Sequence, residues 1–166
     1  MASRPSQLWK NLPADVRVAA ADAFWRDSGA GDGVDAQKME ATVLIARRMN
    51  FRPKSVPGLP VERRAKQLAQ IRDVSDAVAT RALIAYHLAA QRPMMGAFLE
   101  AVGIPHDQGI ITTEELSAPE PARLAAGVGA IRAAYPADHV ELYLNTLVAV
   151  DGDTWGGIDA LVQAAP

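Results

Sequence analysis

The sequence predicts an all-α protein, on three observations. Alanine supplies 32 of the 166 residues, and it combines the best intrinsic helix propensity with a side chain small enough to let helices approach closely. Apolar residues recur at helical spacing, while no run of strict alternation is bounded by a hairpin turn pair. Prolines, glycines and capping residues mark the starts and stops of seven or eight helices. The expected architecture is a compact irregular helical bundle, one domain over residues 1–166.

Each element follows from local signals. A short first turn holds Leu8 and Trp9. Pro13 suits a first helical position, Asp15 in the first turn complements the macrodipole, and Val16, Ala20, Ala23 and Phe24 share a face. The Gly29–Gly33 loop ends that helix. Asp35 is placed to cap the next, with Met39, Val43 and Ala46 inward and an end near Phe51, ahead of Pro53. Pro57-Gly58-Leu59-Pro60 is a stiff connector, and Pro60 opens a helix with Val61, Ala65 and Leu68 facing in.

The helix expected over about Ser75–Gln91 is apolar on most sides, including Val78, Leu83, Ile84 and Tyr86, which predicts a central position in the core. Pro93 starts another, with Met94, Met95, Phe98, Leu99 and Val102 as core, closed by Gly103-Ile104-Pro105. Residues 103–117 read as a longer irregular connection. Ser117 with Glu120, and Asp138 with Glu141, have capping-box spacing and open two further helices. Asp153 or Thr154 caps a last helix carrying Trp155, Ile158, Leu161 and Val162.

Residues 68–88, with Asp76, Val78, Ala82 and Leu83, resemble the second helix of a HEAT-type repeat and its approach. That resemblance implies, as an alternative, a short stack of helical hairpins. No fixed period joins the segments, so the bundle is the primary expectation.

Charge is distributed unevenly. The net charge is −2. Residues 47–72 carry Arg47, Arg48, Arg52, Lys54, Arg63, Arg64, Lys66 and Arg72 against Glu62 alone, a net +7, whereas residues 100–166 hold a net −8. Arg47 and Arg48 fall at a helix C-terminus, where cations are favourable. Arg63 and Arg64 fall in or just past a helix's first turn, where each opposes the dipole by about 0.3–1 kcal/mol. A local disadvantage of this kind points to an anionic partner. Arg47, Arg48, Arg52, Lys54, Arg63, Arg64 and Lys66 are therefore the expected partner- or anion-binding residues, with Val56 and Leu59 adding apolar contact.

Other chemistry is poorly supported. With no cysteine, there is no disulfide framework, thiolate zinc site or cysteine nucleophile. His87, His106 and His139 share no metal-ligand spacing. His87 reads as a core-edge histidine and His106 as a solvated turn residue. Residues 151–159 resemble part of an EF-hand loop. However, Trp155 and Val162 stand where oxygen ligands are required, so a helix-to-helix turn is the better reading. The Gly29–Gly33 loop lacks the lysine of a phosphate loop, and Gly127 and Gly129 inside a helix imply a close neighbour. No cofactor and no metal are expected. Apolar stretches are too short to span a bilayer, and the N-terminus leads to no signal core.

The expected function is a non-catalytic, cytoplasmic protein-interaction or regulatory module that docks an acidic protein surface, or a second copy of itself, through the basic 47–66 face. One alternative is a helical enzyme or small-ligand protein with a pocket near His87 and Tyr86. Another is nucleic-acid binding through the same arginines. It is disfavoured by a pI near 5.9 and by the lack of stacking aromatics, with Phe51 expected to pack inward.

Overall fold

Helices dominate the described chain, as the composition predicts. The computed structural model describes residues 3–28 and 35–164. Among these are ten α-helices: α1 (Pro5–Asn11), α2 (Ala14–Arg26), α3 (Ala36–Met49), α4 (Val61–Ala69), α5 (Asp76–Ala90), α6 (Arg92–Val102), α7 (Pro121–Ala134), α8 (Ala137–Val150), α9 (Gly152–Trp155) and α10 (Gly157–Gln163). A 3-10 turn, Pro53–Ser55, lies between α3 and α4. The count exceeds the expected seven or eight, because the first turn is a true helix and the last helix is split at Gly156. The Gly29–Gly33 loop lies outside the described residues.

The contacts divide the chain into two compact units, Pro5–Tyr86 and Met1–Arg4 with His87–Pro166.

In the N-terminal unit α2 and α4 run antiparallel. Arg17, early in α2, donates from Nε to the carbonyl of Ala69 at the end of α4, and Arg26 at the end of α2 reaches Glu62 at the start of α4 (3.1 Å). Trp9, Phe24, Ile45, Leu68, Val78 and Leu83 are fully buried here. Trp9 also donates from its indole to the carbonyl of Ile71 (2.9 Å), fixing α1 against the α4–α5 connection. Ser75 caps α5 by accepting from the amide of Val78 (3.2 Å). Ile84, expected in the core, is 41% exposed.

In the C-terminal unit the core is one cluster that includes Met94, Phe98, Leu99, Ile131, Tyr143, Leu144 and Trp155. Met94 and Met95 are core, as expected. Helices α6 and α7 pack so closely that a Cβ at Gly127 would lie 2.5 Å from Val102 Cγ2 and 3.1 Å from the Phe98 ring. Gly129 has nothing within 4 Å, so only the first of the two glycines has the close neighbour predicted.

Several expected caps are displaced. The Ser117–Glu120 capping box does not form. Pro121 occupies the first turn of α7, and the residue before a proline is driven to extended backbone, so Glu120 (φ −61°, ψ 142°) becomes the boundary without a side-chain cap. Pro136 likewise bounds α8, leaving Asp138 in the first turn, where its carboxylate accepts from the next amide. Asp151, not Asp153 or Thr154, caps α9 by accepting from the amide of Thr154 (3.2 Å). The 103–117 stretch contains an unpredicted hairpin, β1 (His106–Asp107) with β2 (Ile110–Ile111). Its two turn residues, Gln108 and Gly109, have φ of 48° and 86°, the positive pair a tight hairpin requires.

Candidate functional site

The basic segment is built around the end of α3. Asn50, in the left-handed region (φ 56°), ends the helix in a Schellman arrangement: the Phe51 amide donates to the carbonyl of Ala46 (2.8 Å) and the Asn50 amide to that of Arg47 (3.4 Å). The chain then enters the 3-10 turn at Pro53, and Val56, completely buried, pins the far side of the connector. Val56 is thus unable to offer the apolar docking contact expected of it, and Leu59 is half-buried.

The seven cations fall into two groups. Arg47, Arg52, Lys54, Arg63 and Lys66 are exposed, and among the described residues of the unit none pairs with a carboxylate or donates a side-chain hydrogen bond. Arg48 and Arg64 are engaged. Arg48 donates to the side-chain carbonyl of Gln70, and the half-buried Arg64 guanidinium lies 5.0 Å from the centre of the Trp25 ring. That cation–π contact accounts for Arg64 near the α4 N-terminus without an external anion.

Of the other arginines of the unit, Arg17, Arg26 and Arg81 are consumed internally, whereas Arg72 is exposed and makes no ion pair with a described residue of the unit. Arg81 (side chain 16% exposed) donates to Asp27 (3.0 Å) and to Asp35 and stands over the Phe24 ring. Burial raises the Asp35 pKa. The amide of Lys38 and the guanidinium of Arg81 outweigh it and hold the carboxyl below its ordinary value. Burial also pulls Arg81 down, yet its bonds to Asp35 and Asp27 leave it above the usual arginine value. Arg17, 7% exposed, has no carboxylate partner among the described residues. Its guanidinium serves the carbonyls of Ala69, Leu12 (3.0 Å) and Lys10 (3.4 Å). Burial first, and the nearby Arg72 second, lower its pKa.

Phe51 is the main departure from expectation. It is 40% exposed, not packed inward. The other aromatics of the unit, Trp9, Phe24, Trp25 and Tyr86, are all buried. The periodicity of α3 says nothing about a residue beyond its cap, so no sequence signal reported this exposure.

A second feature, also unforeseen, lies in the C-terminal unit. A cleft of about 560 Å³ is lined by Arg92, Gly96, Glu100, His106 and Gln108 among others. His106 is not a solvated turn residue. Its side chain is 13% exposed, Nδ1 accepts from the amide of Gly109 (3.1 Å), and Nε2 stands 3.4 Å from Glu100. The accepted hydrogen bond places the neutral ring's proton on Nε2, facing the carboxylate. Both nitrogens are occupied, so the ring fastens the hairpin to α6. It sits over Gly96, where a Cβ would be 3.2 Å from the imidazole Cε1. Arg92 braces the same hairpin, donating to the carbonyls of Leu88 (2.7 Å) and Gln108 (3.4 Å).

His87 is 2% exposed, with its ring 5.4 Å from that of Tyr143, and Tyr86 is buried within the N-terminal unit. Among the described residues no group of three or more histidine, cysteine or acidic side chains is placed to hold a metal ion. No described helix is long and apolar enough to cross a membrane. No protein-family model, curated protein or solved structure matches the chain.

Proposed function

We propose that the protein is a non-catalytic interaction module, working in a reducing cytoplasm, that docks an acidic protein surface through the basic face of residues 47–66. One contrast supports the reading. In a unit where Lys10, Arg26 and Arg81 each hold a carboxylate, Arg47, Arg52, Lys54, Arg63 and Lys66 are exposed and hold none among the described residues. Five like charges on a few turns repel one another, and an anionic partner relieves that repulsion. The face acts by steering encounter and fixing register, so its binding weakens with salt.

Self-association is a second form of the same reading. Glu114, Glu115, Glu120 and Asp153 in the C-terminal unit are exposed and make no ion pair with a described residue of that unit. They supply a complementary surface on every copy. Head-to-tail docking of this kind forms rings or open chains.

The test is the double charge reversal Arg52→Glu with Arg63→Glu, which touches exposed residues only. Partner capture from native lysate, and sedimentation of the purified protein, are compared with wild type at about 50 and about 300 mM salt. Salt-labile capture or assembly that disappears in the variant supports the reading. An unchanged set of captured proteins together with unchanged sedimentation sinks it.

A further inference from the structure

Resting on that docking reading, we infer that Phe51 is the apolar anchor of the basic face, and that the partner element is an acidic amphipathic peptide segment. Such a segment brings carboxylates and an apolar surface together.

The backbone that carries the ring is fixed before any partner arrives. Its own amide is tied to Ala46, Asn50 supplies the left-handed turn, and two residues on, the chain enters the 3-10 turn that follows Arg52. Arg47 lies in the last turn before it and Arg52 and Lys54 directly after it, all exposed. An aromatic ring held by its backbone and bordered by arginine has the composition of an interface centre, where such residues carry most of the binding energy. Little backbone freedom remains to be lost on docking.

The same geometry selects among anionic partners. A purely polar acidic chain neutralises the cations and leaves the ring in water. A single-stranded nucleic acid binds along a series of aromatic platforms. Here the other four rings of the unit are buried, and Trp25 is already covered by Arg64. One isolated ring among cations fits one apolar depression rimmed by carboxylates.

Three labelled probes test this by fluorescence anisotropy: a Glu/Leu peptide with helical amphipathic spacing, a polyglutamate of equal length, and a thymidine oligonucleotide. The amphipathic peptide is expected to bind about tenfold tighter than polyglutamate, as burial of one aromatic side chain implies. Phe51→Ala removes that margin and leaves polyglutamate binding unchanged, while Phe51→Leu keeps most of it. The margin persists at about 300 mM salt, where both absolute affinities fall. Because the ring is outside the core, unchanged circular dichroism melts are expected for both variants.

Equal affinity for the two peptides, with both lost in Arg52→Glu/Arg63→Glu, overturns the anchor and leaves the docking face standing. Binding of neither peptide overturns both. Tighter binding of the oligonucleotide replaces the peptide partner with nucleic acid.

Discussion

The two units use different means to hold helices together. In the N-terminal unit guanidinium groups lie at most of the joints. Arg17 gathers carbonyls from the α1 region and from α4, Arg26 joins α2 to α4, Arg81 ties α5 to Asp27 and Asp35, and Arg64 lies over Trp25. The C-terminal unit relies on a continuous apolar cluster, with Phe98 meeting Tyr143 edge-on at 5.6 Å and Trp155 at 5.7 Å. Its ion contacts, Arg132 with Glu141 (3.0 Å) and His106 near Glu100, lie at the periphery. Basic residues thus serve two roles in one small unit. Those that point at carbonyls, carboxylates or rings hold the fold, and those of the 47–66 segment mostly have no such target.

That comparison is most easily broken at the apolar cluster. Phe98→Ala should cost about 3–5 kcal/mol, seen as early loss of the Trp155 signal in a denaturant titration. A much smaller loss would show that the cluster does not carry the unit. Arg17→Met should cost about 2–4 kcal/mol by leaving buried carbonyls without donors. Because no carboxylate is involved, this loss should not change with salt, and Arg17→Lys should recover little of it, since one ammonium cannot reproduce the fork. A strongly salt-dependent loss would contradict the carbonyl-gathering role.

Smaller effects sharpen the contrast. Gly127→Ala should destabilise by about 1–2 kcal/mol against the stiff Val102 side chain and recover in the double variant with Val102→Ala. Gly129→Ala, with open space around it, should stabilise by up to about 1 kcal/mol. Comparative melting curves decide both.

The smallest effects are titrations of opposite sign. Asp35 is held low in the folded unit. Its contribution is present above the unfolded value of about 3.9 and disappears as pH falls through the lower folded one. Burial pushes the Tyr143 hydroxyl up, so its contribution is complete below the unfolded value of about 10 and is lost as pH rises beyond it. Acid should therefore loosen the N-terminal unit first and alkali the C-terminal unit. Asp35→Asn and Tyr143→Phe each remove one sensitivity, read from the indole signals of Trp25 and Trp155.

Much of the fold was legible because helices announce themselves locally. Asp35 caps α3 and Gly103 closes α6 as predicted, and the apolar faces of α6, α7 and α8 are buried. The misplaced starts share one cause. Capping-box spacing is common in alanine-rich sequence, but a proline fixes its own φ and restricts the residue before it, so the boundary goes where Pro121 or Pro136 puts it. The positions of the cations were legible, but their partners were not. Arg64 on Trp25 is a meeting of residues 39 positions apart in the chain, and no spacing rule reports it. Phe51 lies in irregular backbone and His106 in a strand of two residues, and neither offers a periodicity that gives direction to a side chain.

The imidazole seated over Gly96 has an implication for kin sequences. A side chain larger than methyl at position 96 would evict the ring, and with it the acceptor that the amide of Gly109 depends on. The two positions should therefore be inherited together: lineages that lose the glycine should also have replaced the histidine and rebuilt the loop between α6 and α7.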